Sequence, residues 1–189
     1  ESSSSFWRVK DKSAPHNLFT STESILKIAE RKGYSKTSNK KSVLNYVSNE
    51  VEMPSTAVNA TSVTIPHSNL QTVKYEYDAQ TKTYKRYARN KLQTDYITGE
   101  PVTTKNIIIT MCDNYTLTDS ENKGRQGLKN IGTFKGYYIT DGKAIEIQCT
   151  KNTRDEQTVY KDLNGKEIEV NDGNTFVNIC PTDAKLVIE

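Results

Sequence analysis

Histidine is nearly missing from this chain: two in 189 residues, His16 and His67. Cysteine is scarce too, with Cys112, Cys149 and Cys180 forming an odd set that contains no C-x-x-C pair. The ligand spacing of a zinc site is therefore absent, and no metal or other cofactor is expected. Neither charge sign dominates. Lys plus Arg outnumber Asp plus Glu by 26 to 23, a net +3, which is too weak a balance for a dedicated nucleic-acid binder. No apolar run approaches the roughly 20 residues of a membrane span. No charged-then-apolar leader opens the chain, so the sequence fits either a cytoplasmic protein or one whose export segment is gone. The phosphate-loop pattern and the G-x-S-x-G nucleophile elbow are both missing, and no recognisable Cys/His arrangement replaces them.

What is present is tyrosine, 11 of them, and two-residue alternation. The opening "ESSSS" is a polar tail. Within "TSTESILKIAERKGY", Thr20 and Glu23 have capping-box spacing, Ile25, Leu26, Ile28 and Ala29 make an apolar stripe, and Gly33 is placed to end the helix. From Tyr34 to Thr61 serine, asparagine and lysine dominate, and Arg31 to Lys41 carries five cations without one acid. Such a run is a solvated loop or a contact for an anionic polymer. Beyond Thr61 the period is that of half-buried strands. "VKYEYD" and "TYKRYAR" predict a hairpin, and "NIIITMC" a central strand. Asp141-Gly142 and Asn164-Gly165 predict two more tight turns, which together suggest a meander. The three cysteines each follow an apolar or alternating stretch and are expected to be buried strand residues. The fold class is α+β, mainly β: a short helical segment, then a largely antiparallel β domain. Helix periods do not alternate with strands, which excludes a doubly wound nucleotide fold.

The ordered succession "FWR", "APHNLFTS", "YEYD…YKRYAR", "TDYITGEPVTTKNIII", "GRQG", "YYITDGKAIEIQCTK" and "YKDLNGKEIEVNDGNTFVNICP" resembles the YerB-like family, bacterial proteins classed as lipoproteins whose two domains are of unknown function. The resemblance covers residues 6 to 182. It implies that residues 6–58 are the end of the first family domain, that 59–189 are the second, and that this chain begins partway through a longer protein. It further implies an extracytoplasmic protein that meets the membrane only through a lipid anchor absent from this chain. One departure matters. Where family members carry H-x-D ahead of a T-G pair, Gln93 stands in place of the histidine before Asp95, Thr98 and Gly99, which weakens any His/Asp catalytic pair there.

Several residues are candidates for a site. His16 lies between Pro15 and Asn17, where it either fixes a bend ahead of the helix or edges a cleft with Asn17. His67 has no carboxylate near it in sequence and is expected in a turn. Arg125 in "GRQG" offers a fork suited to carboxylate or phosphate, or merely occupies a bend. Arg8, His16, Asn17 and Arg125 are thus candidate ligand contacts, with Lys36, Lys40 and Lys41 as candidate contacts for an anionic polymer. No catalytic residue is assigned. The favoured expectation is a non-enzymatic binding module for a cell-wall polymer or an envelope protein. The alternative is a hydrolase of wall glycan or phosphate esters that would need His16, Asp95 and Arg125 to converge. A scaffold whose edge strands pair with a partner is a third.

Overall fold

The computed structural model describes residues 5–189, so the polar tail at 1–5 falls outside the described residues except for Ser5. The chain divides into two compact units, residues 1–41 and 42–189.

In the first unit, β1 (Trp7–Arg8) pairs antiparallel with β2 (Leu18–Phe19), and α1 (Thr22–Arg31) follows. The helix is capped by Ser21, whose hydroxyl accepts from the Ser24 amide at 3.2 Å. This corrects the expected Thr20–Glu23 box by one residue. Thr20 instead donates its hydroxyl to the Ser5 carbonyl, and Glu23 pairs with Lys27 one turn on. The far end is as the sequence predicts. Gly33 sits at φ +66°, its amide bonds Glu30 O, and the Tyr34 amide bonds Ala29 O, the two bonds of a Schellman motif.

The second unit is built from β3 (Tyr46–Val47), β4 (Val58–Asn59), β5 (Ser62–Ser68), β6 (Gln71–Asp78), β7 (Thr83–Ala88), β8 (Lys91–Leu92) and β9 (Thr103–Thr104). It continues with β10 (Asn106–Met111), β11 (Asn114–Thr116), β12 (Gln126–Leu128), β13 (Gly132–Thr140) and β14 (Lys143–Lys151). Last come β15 (Val159–Lys161), β16 (Val170–Asn171), β17 (Thr175–Cys180) and β18 (Val187–Ile188). One sheet has the order β15-β14-β13-β10-β17, with β4 also on β14, and the other β18-β5-β6-β7-β8, with β9 also on β7. The chain is therefore mostly β with one short helix. The expected hairpins β6–β7 and β13–β14 are present, the latter turning at Asp141 (φ +49°) and Gly142 (φ +70°).

The expected meander is broken after β15. Lys161 and Glu167 meet only as an isolated bridge, β16 leaves to pair in parallel with β3, and β17 pairs in parallel with β10. The first sheet is covered on both faces. Ile107 and Ile109 pack with Val63, Ile65, Tyr75 and Tyr84 of the second sheet. Ile108 packs on the opposite side with Leu44, Tyr138, Ile147 and Val170. Strand β10 is consequently buried at consecutive positions, the pattern of a central strand covered on both faces. All three cysteines are free and buried; Cys149 and Cys180 lie in strands as expected, whereas Cys112 directly follows the end of β10, and burial raises the Cys180 thiol to about 11.

Candidate functional site

The N-terminal candidates form a local bend. Ala14-Pro15 is a cis peptide, and the His16 amide closes the turn onto the Ser13 carbonyl at 3.0 Å. Asn17 does not fold onto its own backbone. Its Oδ1 accepts from Arg8 Nη1 at 2.5 Å and its amide donates to Val9 O, tying β1 to β2. The structure thus brings Arg8 and Asn17 together as each other's partners, and leaves the His16 ring exposed at the tip. Lys36, Lys40 and Lys41 lie on an exposed irregular segment shaped by serine hydroxyls: Ser35 Oγ donates to Thr37 O, and Ser38 Oγ accepts from the Lys40 amide.

In the second unit, Arg125 is ion-paired on an exposed loop. It donates to Asp119 Oδ2 at 2.9 Å and also pairs with Glu121. Both acids lie within six residues of it, so the signal was in the sequence. Asp95 is likewise occupied: its Oδ1 accepts from the Ile97 and Thr98 amides, and these bonds hold its carboxyl below the ordinary range. His67 is not in a turn. It lies in β5 at a bulge, where its Nδ1 donates to the Ile179 carbonyl at 3.1 Å, and burial lowers its pKa.

Open surface lies elsewhere, on the outer part of β13. A groove of about 800 Å³ runs between that strand and the C-terminal segment, walled by Met111, Phe134, Tyr137 and Leu186. Its charged lining residues are Lys135 and Lys185. Lys135 sits 5.1 Å from the Tyr137 ring centre and reaches Glu146 at 2.6 Å. An adjoining hollow of about 720 Å³ shares Val58 and Tyr137 but has the opposite character, with Glu52, Glu146, Asp162, Glu167 and Glu169 against Lys166. The Lys135–Glu146 pair therefore marks the change of sign between them. Sequence alternation placed Lys135 and Tyr137 on one face but gave no hint that residues 182–188 would wall a groove beside them.

Residues 63–177, from β5 through the first half of β17, match the family described as "Protein of unknown function (DUF3048) C-terminal domain". The chain belongs to this family. DUF3048 membership agrees with the resemblance read from the ordered motifs. Over 184 residues the chain is 28% identical to the Bacillus subtilis protein named "Putative lipoprotein YerB", covering 93% of this chain and 51% of that protein. The crystal structure of YerB from Bacillus subtilis matches with a TM-score of 0.78 at 28% identity, over 96% of this chain and 59% of that one. The chain thus spans about half the length of the curated relative it matches.

Proposed function

We propose that this chain is a non-enzymatic binding module of an extracytoplasmic cell-envelope lipoprotein, and that its ligand is an anionic cell-wall polymer. The groove beside β13 carries the reading: aromatic and aliphatic walls to lie against, lysines as its charged lining residues, and an acidic hollow next door that turns a polyanion toward one side. The acid-free run from Arg31 to Lys41 supplies a second cationic contact. The name of the Bacillus subtilis relative supports the compartment. An envelope protein is the other occupant this surface would suit. The hydrolase reading gains nothing from Asp95 or Arg125, because turn amides hold one and carboxylates the other.

Co-sedimentation of the purified chain with Gram-positive cell walls, with and without their anionic polymers, tests this. Binding is expected to require the polymers and to fall with added salt. It should weaken in Lys135→Gln/Lys185→Gln and in Lys36→Gln/Lys40→Gln/Lys41→Gln. Equal binding to stripped walls would overturn the proposal, and so would no binding by a demonstrably folded chain.

A further inference from the structure

The two faces of the β5–β6–β7 sheet treat charge differently. On the outer face Lys74 meets Glu76 at 2.7 Å and Lys85 meets Asp78 at 3.0 Å. On the inner face the register sets Arg86 opposite Tyr75, one step from the Tyr77–Tyr84 pair. Tyr75 and Tyr84 there are fully buried. Arg86 is thus a half-buried cation at the margin of the core, and among the described residues it has no carboxylate partner. Its Nε donates to the Tyr75 hydroxyl at 3.3 Å, and its guanidinium carbon lies 5.1 Å from the Phe176 ring centre and 5.9 Å from that of Tyr75. The terminal nitrogens bond no protein acceptor among the described residues. No buried side-chain nitrogen among the described residues is left without a partner, so these terminal nitrogens face solvent: the fork is held from behind by Tyr75 and the two rings and is open in front to an anion.

Two further polar side chains are linked to the same corner of the sheet through consecutive residues of β17. The buried Asn178 amide bonds the Tyr75 hydroxyl at 3.3 Å. His67 is tied to the next residue of β17 through Ile179 O, which leaves Nε2 as its other polar atom. Burial lowers the His67 pKa most, the Ile179 carbonyl opposes it, and the Arg86 charge adds a smaller lowering. We propose that Arg86, His67 and Asn178 form a binding site for a small oxyanion, a carboxylate or a phosphate, taken bidentately by the pinned Arg86 fork. The site shares no residue with the groove beside β13, so its failure would leave the wall-binding reading standing.

Having two histidines makes the test direct. Sodium acetate and, separately, sodium phosphate are titrated into the full chain at constant ionic strength, and the ring ¹H–¹⁵N signals of both histidines are followed. A His67→Gln sample assigns the signals. Saturable movement of the His67 signal is expected while His16 stays still. The titration midpoint of His67 should also rise in the presence of the anion, since a negative charge beside the ring favours its protonated form. Saturation by acetate identifies a carboxylate site, and saturation by phosphate alone a phosphate site. Arg86→Lys should weaken binding by roughly tenfold or more, because a point charge replaces a two-pronged contact. Arg86→Gln should abolish it; if that variant fails to fold, the lysine variant decides. Parallel, unsaturating drift of both histidine signals would sink the proposal, as would wild-type affinity in Arg86→Lys.

Discussion

Gly136 is the more tightly enclosed of the two glycines in β13. A methyl group there would run into the Ile109 carbonyl oxygen and stand 2.5 Å from Cys149 Sγ, neither of which is the free end of a flexible chain. Gly136→Ala should therefore cost about 1–3 kcal/mol, the usual range for overpacking, and urea unfolding would read it as a lower midpoint with an unchanged slope. A second residue works through bonding rather than space. The Tyr138 hydroxyl donates to Asn106 Oδ1 and accepts from the Asn171 amide, both at 3.0 Å and both buried. Tyr138→Phe strips both partners at once and should cost about 1–3 kcal/mol in the same assay, most of it from the Asn171 amide and the Asn106 oxygen left without water. Sequence alternation shows Tyr138 facing inward. It does not show that the hydroxyl joins two strands 65 residues apart, as the neighbouring Asn106–Asn171 bond also does. Arg86 was more legible than it was read to be. In "TYKRYA" it shares the face of Tyr84, and an arginine in phase with a core tyrosine is the anomaly that periodicity can expose.

Among elements, the helix offers the cleanest separation of local from tertiary stability. None of its residues is buried, and Ile25 and Leu26 are 49% and 46% exposed, so its ends matter more than usual. Ser21→Ala removes the N-cap and should cost about 1 kcal/mol. Gly33→Ala meets no clash but forces an alanine to φ +66°, at a similar cost. Amide hydrogen exchange at Ile25, Gly33 and Tyr34, whose bonds define the two ends, should quicken in these variants while exchange in β10 stays unchanged. Equal quickening in β10 would mean that the helix and the sheets unfold as one. Turn chemistry explains what could be foreseen at this scale. Asp141-Gly142 and the C-terminal glycine of α1 are positions where φ must be positive, and few residues accept that. The cap slipped from Thr20 to Ser21 because adjacent hydroxyls offer the same chemistry and only the Ser5 contact separates them. The expected meander failed for a different reason: nothing local tells β17 to pass over β15 and run parallel to β10.

For the molecule as a whole, the polar groups locked inside it set its response to alkali. Burial raises the Tyr138 phenol from 10.0 to about 12 and the Cys180 thiol from 9.0 to about 11, and it drives Tyr84 upward as well. Each group is neutral in the fold and ionises more readily once unfolded. Stability is therefore full below about pH 9 and falls as the pH climbs through the folded values. Urea midpoints should stay level to pH 9 and decline between 9 and 12, and Tyr138→Phe should flatten part of that decline; a level profile throughout would refute the burial of these groups. One topological feature has its largest effect during synthesis. Both sheets are finished by the last stretch of chain: β17 closes against β10, β18 against β5, and Ser62 and Glu189 exchange both backbone bonds. Asn106 and Thr175 are 69 residues apart, and a gap of that size must close before the central strand gains its second neighbour, a non-local step that slows folding. A nascent chain emerging from the ribosome therefore carries "NIIITM" with a bare edge until residues 175–188 are free of the tunnel. Over that interval the segment is a natural client for a chaperone, and a nascent chain stalled before Thr175 should be protease-sensitive throughout its second unit.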